Sequence, residues 1–598
     1  MTISFDMEWN KDAIDVLGLA YDNGLKATAT GRTEQSMSQF LEVLHKANRI
    51  AGHNAIDADL GQLEKEGFDI SKLLPKTFDT RVAFHTAFGH LAGSGSFDLR
   101  SIVLLLNGRQ GGRFPLDWKS YESDLYRTCA FDAAAVSFCV PTLDRLIRSH
   151  HLENTVNIGL KCSDIFRRMK KQGVKLDRAV LEQIYAARKQ SVEQTIEKYH
   201  LWEERGKKVI KKVPIWRSNK VLDICAEQFG IRPKDRQRAT WLKLAADQSL
   251  SPAAKEFVDA IVTLGRGAND AHWLGHAEET EDGVDFEKVG SDGFIYPRYD
   301  LCGSPDRAIA SSPNIQNFPR ISEDPRPVPL RSAVIPLDAS HVVLGIDFSS
   351  IETITNAIES DDWDRVRDTL AKRITHEGTA KLINDAFGTS LDRQAGKAVN
   401  HGFDKGESPH ALARTIFKSD RPSRQQVAQC QAIFRKMLGE YPKTAKFRDN
   451  LWERSVENPL TVTNSFGRRL MCFSRSKYGD ANERYAKHVP EKKYWCSCAA
   501  CGPRRDRWKY AIAFLGRSSA FDALLRKMAT IWYEKRLDQY SLPYLEVHDE
   551  LDFSVPREHV VDKYARLAVE CFTEPIAELG NISLPADAKW GNSWASAH

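Results

Sequence analysis

The sequence predicts a multidomain protein of mixed α/β and α+β class, and three observations predict it. Its 598 residues exceed what one hydrophobic core can serve, so several domains follow from length. Short β-like runs alternate with helical ones over roughly the first 155 residues, whereas residues 178–265 are rich in Lys, Arg, Glu and Gln with helical spacing of apolar positions. Strong strand signals then return far down the chain, at His341–Asp347 and Tyr544–Val555.

Each element has its own signal. Ile3–Trp9 reads as a strand and Asp15–Tyr21 as its partner. Val180–Tyr185 shows the apolar spacing of a helix. The basic run Arg205–Lys212 interrupts the helical region and reads as a solvated loop. Strand character resumes near Phe294–Tyr296 and is clear at His341–Asp347; a long helical region then extends to about residue 455. The apolar stretch Tyr544–Val555 has acidic residues at its centre, as a hairpin would. No internal repeat or low-complexity tract is visible.

Apolar residues at 42% and charged residues at 28% describe an ordinary globular protein. The net charge of +5, from 85 basic and 80 acidic residues, says little about partners, because nucleic-acid binding needs a local basic surface. Acidic Asp6 and Glu8 stand where a secretory leader would be apolar, and no apolar run approaches bilayer length. The eleven cysteines are mostly scattered, as in a reduced cytoplasm. A cytoplasmic protein without membrane contact is expected.

Two sets of carboxylates carry the chemistry. Two-metal phosphoryl transfer needs carboxylates that hold Mg²⁺ ions about 3.5–4 Å apart. Mg²⁺ takes oxygen ligands and keeps several waters, so few carboxylates suffice. Asp347 closes the apolar run Val342–Ile346, and Asp549 with Glu550 interrupts an apolar hairpin between Val547 and Leu551. An acidic pair there is costly unless it turns outward or meets a cation. Between these motifs lies Arg393–Gly406, in which Arg393, Lys397 and His401 recur every four residues and share one helical face. Such a face presents two cations to a triphosphate.

These segments resemble family A DNA polymerases of the bacterial DNA polymerase I large-fragment type. Asp347-Phe-Ser-Ser-Ile-Glu352 resembles the motif that opens with a metal-binding Asp and closes with Glu, and His548-Asp549-Glu550 resembles the second metal motif. Arg393–Gly406 resembles the fingers helix that binds the incoming nucleotide. Arg307 with Ser312–Pro319, including Asn314, Gln316 and Asn317, is similar to the segment contacting template, primer and nucleotide. His376 stands where the family has a triphosphate-contacting His. Lys171–Asp177 looks like the entry to the thumb, and Trp590–His598 like the family's C-terminus. The resemblance spans 160–598.

The N-terminal set is similar to the DEDD 3′→5′ proofreading nucleases: Asp6 and Glu8 on a strand, Asn54 with Asp59 downstream, and Asp132 on a helix. Asp57 competes with Asp59 for the second motif. Thr128 stands where that family has a Tyr that orients the attacking water, with Tyr126 nearby.

The resemblance implies a ribonuclease H-like exonuclease domain at 1–155 followed by a right-hand polymerase. Its palm is expected from 156–177, 290–360 and 516–598, its thumb from 178–289 and its fingers from 361–515. It leaves no room for a 5′-nuclease domain in this chain. It implies that Asp347, Asp549 and neighbouring Glu550 form the polymerase metal site, with two Mg²⁺ for which Mn²⁺ can substitute. Asp6, Glu8, Asp59 and Asp132 would hold the exonuclease metals. Arg393, Lys397, His401, Lys405 and His376 would bind the nucleotide, with Lys397 placed to give a proton to pyrophosphate. Glu352 would exclude a 2′-hydroxyl. Arg307, Asn314, Gln316, Asn317, Arg517 and His548 would meet the DNA. The implied partners are primer-template DNA and dNTPs, and the implied state is a monomer.

The chain departs from the family around the nascent base pair. His401 replaces an aromatic residue, Lys405 a Tyr, and Arg517-Ser-Ser-Ala-Phe-Asp522 a segment that usually begins Gln-Gly. An unusual template or nucleotide, such as a modified purine in a phage genome, and simple divergence are both consistent with these residues. Finally, Cys496-Ser-Cys498-Ala-Ala-Cys501 followed by Gly502-Pro503 looks like part of a zinc knuckle within 472–501. Zinc takes four ligands, usually with Cys pairs about two to four residues apart, and Cys472 or His488 would supply the fourth.

Overall fold

The structure is a computed structural model that describes residues 2–10, 13–21, 26–88, 97–109, 114, 119, 123–205, 211–214, 218–245, 247, 249–266, 273–280, 283–304, 306–321, 324, 326, 328–388, 390–417, 419, 421–472, 490–496, 498, 501–535 and 538–597. Among them no helix is long and apolar enough to cross a membrane.

The N-terminal region folds around a five-stranded mixed sheet. Its spatial order is Lys26–Gly31, Ala13–Tyr21, Thr2–Asn10, Arg49–Gly52, Thr77–Asp79. The first three strands pair antiparallel, and Thr2–Asn10 pairs parallel with Arg49–Gly52, which pairs parallel with Thr77–Asp79. Thr2–Asn10 is central, so Ile3, Phe5 and Met7 are buried, while Asp6 and Glu8 stay half-buried. Helix Glu34–Lys46 begins at a capping box, in which Thr33 Oγ1 accepts from Ser36 N at 3.0 Å, and it buries Met37, Phe40 and Leu44. Each such fully buried side chain contributes about 1.5–3 kcal/mol.

Helix Leu125–Ser149, capped by Asp124, crosses the first three strands. Gly18, the strand partner of Asp6, makes that crossing possible: a Cβ there would sit 2.8 Å from both the carbonyl O and Sγ of Cys129. Asp132 lies one turn beyond Cys129, so this close approach delivers it to Asp6 and Glu8.

A second, four-stranded antiparallel sheet has the order Leu545–Val547, Glu550–Pro556, His341–Phe348, Ala586–Gly591. Val342, Val343, Leu344 and Ile346 are buried, and Asp347 emerges exposed at the end of this central strand. The hairpin expected over 544–555 is present, with His548 in the left-handed region at φ 70°. Helix Gly502–Ala529, 28 residues long, packs against helices Ile351–Glu359 and Glu153–Gln172. The expected boundaries at 155/156 and 515/516 both fall inside continuous helices, Glu153–Gln172 and Gly502–Ala529, which pack against each other.

Helices Arg178–Lys198, Lys220–Phe229, Arg238–Ala245 and Pro252–Arg266 gather a separate core of Ile196, Leu201, Val221, Phe257 and Val258. The basic run expected as a loop is corrected in part. Arg205 ends the strand Trp202–Arg205, and Lys211 and Lys212 open its antiparallel partner Lys211–Pro214; positions 206–210 lie outside the described residues.

The N-terminal region is joined to the rest. Arg81 makes a two-pronged pair with Asp300, at 3.0 and 2.9 Å. Buried His85 lies between Arg468, 3.2 Å from its Nδ1, and the carbonyl of Ser304, 3.1 Å from its Nε2.

Candidate active sites

The first site is built at the end of the second sheet. Asp347 pairs in register with Glu550 on one side and Asp587 on the other, and Phe348 N donates to Asp549 O at 3.2 Å. Adjacent strands thus set Asp347 beside Glu550 and Asp587 at one edge, with Asp549 in the turn just before Glu550. Burial, then the charges of Glu352 and Glu550, push the Asp549 carboxyl up to about 6. A site that raises a carboxyl in this way gains by accepting a cation. These oxygen donors fit Mg²⁺.

Helix Arg393–Asp404 packs against helix Ile351–Glu359, which follows Asp347 in the chain, and is capped by Asp392, whose carboxylate accepts from Ala395 N at 2.9 Å. Gly396 lets helix His376–Phe387 come very close, since a Cβ there would lie 2.0 Å from the carbonyl O of His376. The His376 and His401 rings consequently lie 5.7 Å apart, and Asn400 Nδ2 is 3.2 Å from His376 Nδ1. Burial and then His401, Arg393 and Lys397 hold His376 below its ordinary value. Burial and then Lys405 do the same for His401, so both imidazoles are neutral near pH 7. Arg393 Nε donates to Glu377 Oε1 at 2.5 Å. Lys405 follows the helix, with its Nζ 3.7 Å from Glu352 Oε2. Buried Asp404 anchors the helix end to Arg365 and to Thr353 Oγ1, the latter at 2.7 Å. The structure therefore brings His376, Arg393, Lys397, His401, Lys405 and Glu352 into one neighbourhood. Its cations are Arg393, Lys397 and Lys405, which can bind phosphate oxygens, and its carboxylates are Glu352 and Glu377.

The residues expected at DNA separate into two groups. His548 is exposed, and burial of part of its ring followed by Arg307 and Arg320 holds it below its ordinary value. Asn317 is exposed, and the half-buried Asn314 keeps its Oδ1 without a hydrogen-bond partner. Arg517 Nη2 lies 2.7 Å from Asp306, whose other oxygen is 3.9 Å from Arg307 Nε. Gln316 differs from the expectation: it is 7% exposed, and its amide is bonded to Ala310 N, Ala308 O and Glu546 Oε2, the last at 2.7 Å. An amide with both ends satisfied inside the protein has little left for DNA.

Sequence reasoning missed four residues here. Asp306 and Glu546 are buried carboxylates that organise Arg517 and Gln316, while Asp587 pairs with Asp347. Arg320 bears on Asp549 and His548 by charge alone. A charged residue inside an apolar run (Glu546, between Leu545 and Val547) was the one available signal.

The second site lies on the N-terminal sheet. One oxygen from each of Asp6, Glu8 and Asp132 falls within 4.8 Å of the others. Burial, then Asp59, Asp132 and Glu8, push Asp6 well above its ordinary value. Asp59 is 4% exposed, accepts from Met7 N at 3.0 Å, and is pushed up to about 8, chiefly by burial. Asp57 instead pairs with Arg298 at 3.1 Å and Lys170 at 3.7 Å, which leaves Asp59 beside Asp6. The four acidic side chains fit divalent cations, which relieve their mutual repulsion. Tyr126 is directed to Gly31, where a Cβ would lie 2.6 Å from its hydroxyl.

Comparison with known proteins bears on both sites. The family model of DNA polymerase family A matches residues 289–596, more than half of the chain. DNA polymerase I of Bacillus caldotenax is 25% identical over 299 residues, covering 49% of this chain and 30% of that protein. DNA polymerase I of Bacillus subtilis (strain 168) is 24% identical over 298 residues, again 49% and 30%. The match thus spans less than a third of these relatives' length. Among solved structures, the POL domain of Pol1 from M. smegmatis, in complex with DNA primer-template and dNTP, superposes with a TM-score of 0.71 at 16% identity. It covers 100% of this chain and 96% of that one, a likeness of fold.

Proposed function

The chain belongs to DNA polymerase family A, and on that premise we propose that it extends a DNA primer with dNTPs under the direction of a template. The observation that carries this reading is the position of Glu352, whose charge bears on Asp549 and whose Oε2 lies 3.7 Å from Lys405 Nζ and 3.9 Å from His401 Nδ1, so that it joins the carboxylate edge to helix Arg393–Asp404. The solved relative binds primer-template and dNTP, and the same ligands are proposed here.

Asp347 and Asp549 would hold Mg²⁺, which would supply Lewis acidity to the primer 3′-hydroxyl and to the transferring phosphoryl group. Arg393, Lys397 and His376 bind the triphosphate oxygens, so that the α-phosphorus faces the primer hydroxyl in line. The 3′-oxygen bonds to the α-phosphorus as its proton passes to water, the bond from that phosphorus to pyrophosphate breaks, and Lys397 gives the leaving group a proton. Glu352, held by Lys405 and His401, closes the space beside the sugar. His548, Arg307, Asn314 and Asn317 bind the duplex, largely through phosphates, so binding weakens with salt.

The N-terminal domain is proposed to be a ribonuclease H-like 3′→5′ exonuclease. Its mixed sheet carries Asp6 and Glu8 on the central strand, and Asp132 arrives from the crossing helix. The proposed setting is replication of a phage genome, and the departures at His401 and Lys405 accord with an unusual base and with simple divergence alike. Primer extension on a defined template with four dNTPs and Mg²⁺ tests the main reading. Absence of template-dependent extension, with duplex still bound, would overturn it.

A further inference from the structure

We propose that Cys496, Cys498 and Cys501 hold a structural zinc ion, with Cys472 as its fourth ligand. The three Sγ atoms of Cys496, Cys498 and Cys501 lie within 4.8 Å of one another. Thiolates around one tetrahedral zinc at about 2.3 Å are themselves about 3.8 Å apart, so small side-chain rotations close the set. The spacing C-x-C-x-x-C brings three ligands from one short turn.

The backbone is already bent to converge them. Cys501 N and Gly502 N both donate to Cys498 O at 3.1 Å, and Cys496 N donates to Lys493 O at 3.0 Å. Arg505 Nη1 donates to Cys496 O at 2.6 Å and fastens the first cysteine to the following helix. That helix, Gly502–Ala529, starts at the turn, and its N-terminal dipole and Arg505 favour the negative charge of a zinc–thiolate group.

All four cysteines are at most 3% exposed and share one cluster with Leu451, Trp452, Tyr494 and Trp508. The three converging thiols are Cys496, Cys498 and Cys501, and Cys472 shares their apolar cluster as the remaining described cysteine there. Cys472 ends the strand Arg469–Cys472, paired with Leu460. Zinc there would tie the hairpin Leu460–Cys472 to the start of the helix that carries Arg517. The other ligand foreseen from sequence, His488, lies outside the described residues.

The test uses the full chain, produced with zinc and purified under reducing conditions without an affinity tag. Elemental analysis is expected to find about one zinc per chain, falling below about a tenth in Cys498→Ser and in Cys472→Ser. Since either variant can fail to fold, metal-free wild-type protein is also titrated with Co²⁺ alone. A thiolate-to-cobalt charge-transfer band that saturates at one equivalent, with a rise in Tm, supports the site. Folded wild-type protein that holds no zinc and gives no such band overturns it. A disulfide among Cys496, Cys498 and Cys501 in the non-reduced, alkylated protein overturns it as well. Full zinc retention by Cys472→Ser overturns Cys472 as the fourth ligand.

Discussion

Lys405 Nζ and His401 Nδ1 both face Glu352 Oε2, at 3.7 and 3.9 Å. The two residues that depart from the family pattern therefore converge on the carboxylate that the resemblance assigns to sugar selection. A cation and an imidazole thus lie beside this carboxylate, where the resemblance implies aromatic rings. Because the pair is partly exposed, each contact is worth about 0–1 kcal/mol. Lys405→Met is expected to change the ratio of deoxyribonucleotide to ribonucleotide incorporation by about two- to fivefold, and Glu352→Ala by more. Single-nucleotide insertion with both sugar types measures it; an unchanged ratio in Lys405→Met removes Lys405 from selection.

Asp347→Ala and Asp549→Ala each remove a proposed metal ligand worth several kcal/mol at the transition state. We expect extension to slow by about 10³-fold or more, with duplex affinity retained within a few-fold. Rapid-quench extension together with a filter-binding assay decides this, and near-normal extension in either variant rejects the metal assignment.

The nucleotide helix yields a split between kinetic constants. Lys397→Ala is expected to lower kcat mainly, since its contact strengthens as the leaving group develops charge. Arg393 is paired with Glu377, a carboxylate that competes with a triphosphate for the same guanidinium. Glu377→Gln is accordingly expected to lower KM for dNTPs by a few-fold with kcat unchanged. His401→Phe is expected to keep polymerase activity and change discrimination among base and sugar analogues, because a neutral imidazole can hydrogen-bond where a phenyl ring only packs. Identical selectivity in that variant would make the replacement neutral.

Asp6→Ala combined with Glu8→Ala is expected to abolish degradation of single-stranded DNA from the 3′ end and leave extension intact. A gel assay of end-labelled oligonucleotide reports it. Persistent degradation would place the nuclease elsewhere. A wild-type chain that never degrades would point to Thr128 at the tyrosine position.

Burial pushes Glu546 up to about 8, from an ordinary value of 4.5. Between those values the folded protein keeps a proton that the unfolded chain has lost. The stability this group contributes is therefore full below about 4.5 and lost as pH rises through about 8. Relative to Glu546→Gln, which cannot ionise, the Tm of the wild type is expected to fall by on the order of 2 °C between about pH 6 and pH 9. Parallel calorimetric profiles for the two proteins would show that Glu546 does not titrate in this window.

The sequence by itself determined the features that rest on local spacing. The central strand ending at Asp347, the hairpin that carries Asp549 and the single face shared by Arg393, Lys397 and His401 are all periodic patterns within about a dozen residues. Only the tertiary structure decided which partner each side chain meets. It turned Gln316 inward to Glu546, 230 positions away, and it set Asp59 rather than Asp57 beside Asp6 by giving Asp57 to Arg298. It also joined Lys405 to Glu352 and let Gly18 and Gly396 bring whole helices within reach of the sites. Such choices depend on close packing between segments far apart in the chain, and a local pattern carries no record of the surface it will meet.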